Sequence, residues 1–137
     1  MTQLLADGIL IVHFAFIAFV VIGLLLILLG IVRRWAWIRN FWFRAAHLLA
    51  IGLVVAEVWC GIACPLTVWE NASRASGGGT AYSESFVQHW LHAVIFYDFP
   101  PVAFTIAYSV FGALVVLTWA VAPPRRRPKI AQQRLQP

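Results

Sequence analysis

Acidic side chains are scarce in this chain: five Asp and Glu stand against ten Lys and Arg in 137 residues, and charged residues total only 11%. With 62% hydrophobic residues beside them, that shortage excludes an ordinary soluble domain, whose composition is about a quarter charged. Signature motifs are missing as well. The sequence holds no G-x-S-x-G, no H-E-x-x-H and no nucleotide-binding glycine loop, which argues against classical hydrolase chemistry. No C-x-x-C-H is present, so covalently attached haem is excluded. Cysteine is nearly absent too, at two residues, Cys60 and Cys64. Their spacing of four splays the Cβ atoms on a regular helix, and a bridge between them requires the helix to end in that interval.

What the chain has instead is long apolar runs. Residues 8–32 carry no charge and one polar interruption, His13. Residues 45–64, with His47 and Glu57, and 102–122 form two more such runs. At ~1.5 Å per residue each covers, or nearly covers, a hydrocarbon core of roughly 30 Å. The expected fold class is an all-α membrane protein with three transmembrane helices plus a short outer-face interfacial or re-entrant helix. A single membrane domain is expected over 1–122, followed by a basic, disordered tail over 123–137. The seven residues before Gly8 lack a basic segment and no A-x-A site follows the first run, so that run reads as a retained span.

The net charge of +5 points to membrane topology and not to nucleic acid, because the cations are segregated. Arg33, Arg34, Arg39 and Arg44 fill the link between the first two runs, and Arg125, Arg126, Arg127, Lys129 and Arg134 fill the tail. By the positive-inside rule both are cytoplasmic, which puts the N-terminus and residues 65–101 on the outer face of the membrane. Trp35, Trp37, Trp42 and Trp119 fall at the inner boundary, while Trp59, Trp69, Trp90, Tyr82 and Tyr97 fall at the outer one. These are the interfacial levels that Trp and Tyr favour. Crossing of the membrane by residues 85–97 is rejected, since ~20 Å of helix is too short and the crossing would export the tail.

The outer segment holds most of the candidate chemistry. Pro65 disfavours a helical Cys64 and should end the second span there. Thr67 and Glu70 have capping-box spacing for a short helix over 68–76, stopped by Gly77-Gly78-Gly79. A second short helix over 85–97 carries Ser85, Gln88, His89 and His92 as a polar stripe. His13, Cys64, Glu70 and His89 come from four segments, converge on one depth, and offer nitrogen, sulfur and oxygen donors suited to a metal ion. A haem b held by His13 and His89 is the related alternative. Asp7, His47, Glu57, Thr67, Tyr82 and His92 are candidates for a supporting polar network, with Asp7 placed to orient the His13 ring. Each has a plainer reading: His13 as a packed, hydrogen-bonded core histidine, Glu70 as a cap, Cys64 as a small apolar helix end, and His89 and His92 as residues facing headgroups. His47 lies on the order of 20 Å in depth from His13 and cannot share its ligand.

Cys64-Pro65-Leu66-Thr67 followed by Glu70, Tyr82, Phe86 and His89 resembles the CPLTxxE pattern of the bacterial membrane proteins grouped as Domain of Unknown Function 2784. The order Asp7, His13, Phe16, Phe19, Gly23 and the pair His47-Leu48 are similar to that family as well, whereas Cys60, Glu57 and His92 fall outside its pattern. The likeness runs from Ala6 to about Val121. It implies an architecture and a set of residues but no reaction, since the family has no assigned activity. The preferred function class is a non-enzymatic accessory or assembly protein whose polar cluster is structural. A metal- or haem-binding, redox-linked protein is the alternative, and a transporter component ranks last. The expected partners are the lipid bilayer and a larger membrane complex or a second copy of the chain.

Overall fold

The computed structural model describes residues 2–81, 86–95 and 99–126. Every regular element among them is helical: α1 (Thr2–Val32), a 3-10 turn at Trp37–Arg39, α2 (Phe41–Cys60), α3 (Pro65–Ser76), α4 (Phe86–Ile95) and α5 (Pro101–Val121). Three of these, α1, α2 and α5, are long and apolar enough to cross a membrane. Tyr82, the ends of the short helix expected over 85–97 and most of the basic tail lie outside the described residues.

Why α1 packs as it does can be read from its spacing. Ala6, His13, Val20 and Ile27 are buried at seven-residue intervals, with Gly23 and Gly30 repeating the same interval beside them. A seven-residue repeat keeps one narrow seam of a helix turned toward its neighbours. The rest of α1 is apolar and exposed, including Ile11, Phe14, Ile22 and Leu25. An exposed surface of this kind is stable against lipid and not against water.

At 31 residues α1 is about 46 Å long, against about 30 Å for α2 at 20 residues and about 32 Å for α5 at 21. α3 accounts for the difference. It packs more extensively against α1 than any other pair of elements does. It runs antiparallel along the N-terminal part of α1, with Glu70 near His13, Arg74 near Asp7, and Gly77 against Thr2 and Gln3. Its amphipathicity is inverted, since Thr67 and Glu70 are buried while Val68 and Trp69 face outward.

Helix ends depart from the expected boundaries for local reasons. α2 stops at Cys60, short of Cys64, because Gly61 takes a left-handed φ of 66° and Ile62 N–H returns to the Glu57 carbonyl at 2.9 Å. α3 begins at Pro65, the first-turn position that best tolerates proline, and is capped by Cys64. Thr67 and Glu70 therefore lie inside the helix, and the capping-box geometry does not form. α1 and α3 close with the same reversal as α2. Trp35 N–H bonds the Gly30 carbonyl at 2.8 Å around Arg34, and Gly79 N–H bonds the Arg74 carbonyl at 2.9 Å around Gly78.

The apolar core lies where α1, α2 and α5 meet, in Val20, Leu24, Ala50, Ile51 and Val115, flanked by Phe16, Leu48, Val54, Val55 and Phe111. The α2–α5 interface is pinned by hydrogen bonds at both ends: Trp59 Nε1 donates to Ser109 Oγ at 3.0 Å, and Arg44 Nη2 donates to Thr118 Oγ1 at 3.1 Å.

Candidate functional site

Two buried polar clusters occupy opposite ends of the bundle. The first lies where α3 covers α1. Glu70 is fully buried and accepts a 3.0 Å hydrogen bond from Arg74 Nε, one helical turn away. Arg74 Nη2 also lies 4.0 Å from Asp7 Oδ1 on α1. His13 is buried within Coulombic reach of the Glu70 carboxylate, and Thr67 is buried alongside on α3. The α1–α3 contact thus sets charged and polar groups of the two helices side by side, open at its Asp7 end, with the buried Glu70 carboxylate paired to Arg74 as a buried charge must be.

Cys64 and Glu57 form an adjoining pair through a side-chain hydrogen bond. The Cys64 sulfur feels the amides of Leu66 and Thr67, although no cap hydrogen bond to them is formed. Burial pushes the Cys64 thiol above its ordinary range, those amides pull it back in part, and the charge of Glu57 pushes it further up. Its sulfur is held in the thiol form at neutral pH. Neither cysteine is bridged.

Of the four sequence-selected donors, the structure draws His13 and Glu70 together and sets Cys64 against Glu57. His89 and His92 are carried by α4, which takes no part in the principal helix interfaces. The His89 ring sits edge-on to Trp90 at 5.9 Å. Among the described residues no three His, Cys, Asp or Glu side chains come together as a metal site requires. Asp7, expected to orient His13, is set against Arg74. Sequence reasoning missed Arg74, though its i, i+4 spacing from Glu70 on a helix was the available signal.

The second cluster centres on Arg44 and His47; the sequence offers His47 as a polar-network candidate, whereas Arg44 reads there as part of the charged link and not as its neighbour. Both are essentially unexposed, at 1% and 0%. His47 Nε2 donates to the Val20 carbonyl at 2.7 Å, and since a carbonyl only accepts, the proton is on Nε2. The imidazole stacks on Phe43 and meets Phe19 edge-on at 5.7 Å. Gly23 makes this possible, because a Cβ there would sit 2.6 Å from His47 Cδ2. Arg44 reaches Thr118, which passes its own proton to the Val115 carbonyl at 2.6 Å, and lies 5.9 Å from the Trp119 ring centroid. Arg44 Nε and Nη1, His47 Nδ1 and Trp119 Nε1 are buried and make no hydrogen bond to another described group.

Three apolar helices locked by polar groups at both ends define a small multispan helical protein. The chain belongs to the family described as Protein of Unknown function (DUF2784), whose model matches residues 3–124. No curated protein and no solved structure matches it.

Proposed function

We propose that this protein is a non-enzymatic accessory or assembly component of a bacterial cytoplasmic membrane. Its N-terminus and α3 face outward, its arginine-rich end faces the cytoplasm, and the His13, Glu70 and Cys64 cluster serves structure. The orientation is supported by charge, since only Arg74 of the ten cations lies outside residues 33–44 and 125–134. The placing of α3, and with it α4, at the outer interface is supported by the outward-facing Val68 and Trp69. The structural role is carried by one observation: the buried carboxylate of Glu70 is matched by Arg74 from the same helix. The same Arg74 reaches Asp7 Oδ1 on α1 at 4.0 Å and Glu70 lies within Coulombic reach of His13, so the pair links α3 to α1.

A combined measurement on purified protein tests this. Elemental analysis and an absorption spectrum are expected to show no stoichiometric metal and no Soret band, while His13→Ala and Glu70→Gln each lower the unfolding midpoint. One metal or haem per chain, lost on His13→Ala or His89→Ala with the fold intact, would replace the structural reading by the metal-binding one. For topology, a cysteine introduced at Gly78 is expected to react with an impermeant maleimide from outside intact cells. Labelling only after permeabilisation would reverse the orientation.

A further inference from the structure

At the end of the bundle opposite α3 a pocket of about 440 Å³ opens between the last turn of α1, the 3-10 turn and the end of α5. Its lining divides by chemistry. Ile38 and Val121 supply apolar wall, Trp35 supplies an indole, and Arg34, Arg39 and Arg125 supply three guanidinium groups. No acidic residue lines it, and the sequence has none between Asp7 and Glu57 or after Asp98. The C-terminal ends of α1 and α5 point their carbonyls this way, and each contributes roughly half a negative charge. Three arginines against two helix ends leave about two positive charges without a counter-ion from the chain.

The pocket is held in shape by the backbone and not only by long side chains. Arg125 N–H donates to the Arg39 carbonyl at 2.8 Å, which seats the segment after α5 beside the 3-10 turn. Ile38 is buried against Gly30. Arg34 closes α1 with a φ of 56°, the one left-handed non-glycine residue among those described. The same reversal after α2 and α3 is made by Gly61 and Gly78, at φ 66° and 75°. An L side chain disfavours that conformation, so the end of α1 carries a guanidinium where the other two turns carry the residue best suited to the backbone.

We propose that this pocket binds the phosphodiester headgroup of an anionic phospholipid, with Arg34, Arg39 and Arg125 as its cationic lining and the apolar wall accepting the first methylenes of an acyl chain. Basic pockets between membrane helices recognise such headgroups, and the volume is within the ordinary range for ligand sites. The inference rests on residence in a membrane alone. It is independent of the accessory role and of which leaflet the arginines face.

The test uses the full chain in a neutral detergent, with bound lipid counted by native mass spectrometry during titration with phosphatidylglycerol or phosphatidylcholine. Phosphatidylglycerol is expected to be retained one per chain at concentrations where phosphatidylcholine is not. Arg34→Gly and Arg125→Gln are each expected to weaken it roughly five- to tenfold, the range for one charge-assisted contact. Arg34→Gly suits the left-handed backbone, and an unfolding midpoint no lower than wild type separates its loss of lipid from misfolding. Arg33→Gln removes the same charge outside the pocket and is expected to leave retention near wild type. Equal retention of the two lipids, or an equal loss with Arg33→Gln, would reduce the effect to a diffuse field and overturn the site. Displacement of the lipid by inorganic phosphate at matched concentration would overturn the lipid as its occupant.

Discussion

At the α3 end, Arg74 lies between Glu70 and Asp7, and Glu57 is hydrogen-bonded to Cys64. At the opposite end Arg33, Arg34, Arg39, Arg44, Arg125 and Arg126 make no ion pair with a carboxylate among the described residues. At the first end the one cation is met by two carboxylates within the fold, so its charge can be carried inside a helix–helix seam. The second relies on a hydroxyl and on aromatic faces, as in Arg44 to Thr118 and Arg126 over Phe41 at 4.3 Å, and leaves Arg44 Nε and Nη1 with no hydrogen bond to another described group. Those contacts hold a guanidinium in place without cancelling its charge. The comparison teaches that burial of a cation can have two meanings. In one it closes a circuit within the fold, and in the other it leaves a field directed at something outside the chain.

The sharpest way to break that contrast is to remove one arginine from each end. Arg74→Met takes the guanidinium partner from the buried Glu70 carboxylate and is expected to cost about 3–5 kcal/mol, whereas Glu70→Leu with Arg74→Met is expected to recover most of it. Arg44→Met removes a buried cation that has no carboxylate partner, and is expected to stay within about 1 kcal/mol of wild type. Reversible denaturant unfolding in detergent measures all three. A loss above about 3 kcal/mol for Arg44→Met would mean that this end is neutralised after all.

Much of this was legible before any coordinates. The three spans follow from run length, and the segregation of charge follows from counting. The residues that lock the helices were harder to see. His47 has no polar neighbour at its own depth, because its acceptor is the Val20 backbone carbonyl, which composition cannot display. Gly23 was visible as a motif residue, but its purpose, room for an imidazole, exists only once α1 and α2 are docked. Arg74 is a lone cation on a short helix, and only its i, i+4 spacing from Glu70 marks it in the sequence as the counter-ion. The ending of α2 was misplaced because Pro65 was weighed and Gly61 was not.

Gly23→Val tests whether the arginine end depends on fit where the α3 end depends on pairing. A side chain there meets His47 on a helix whose imidazole is held by Val20, Phe19 and Phe43. Overpacking of this kind costs about 1–3 kcal/mol, and His47→Ala in the same chain is expected to return part of the loss. If Gly23→Val is as stable as wild type, the helices are not in close contact at this level. A smaller effect of opposite sign is expected from Arg34→Gly, which relieves the left-handed strain and should add about 1 kcal/mol of stability. No gain would mean that the Arg34 side chain makes a stabilising contact equal to the strain, which weakens the case for a residue kept for binding.

The least of these effects concerns Cys64, and it separates the two ends by pH. The folded thiol is raised, first by burial, against the pull of the Leu66 amide, and then by the charge of Glu57. A group whose folded pKa lies above its unfolded value contributes stability that is complete below the unfolded value, about 8.5 for a thiol. That contribution is lost as pH rises through the folded value. A fall in stability between neutral and alkaline pH carried by Cys64 is therefore expected to vanish in Cys64→Ala made on a Cys60→Ala background. Alkylation of Cys64 in the Cys60→Ala protein gives the same answer by rate: its midpoint is expected above the ordinary thiol range and to drop with Glu57→Gln. A midpoint at or below that of a free thiol would mean that Cys64 is a thiolate near neutrality, and the α3 end would then hold a reactive sulfur rather than a closed pair.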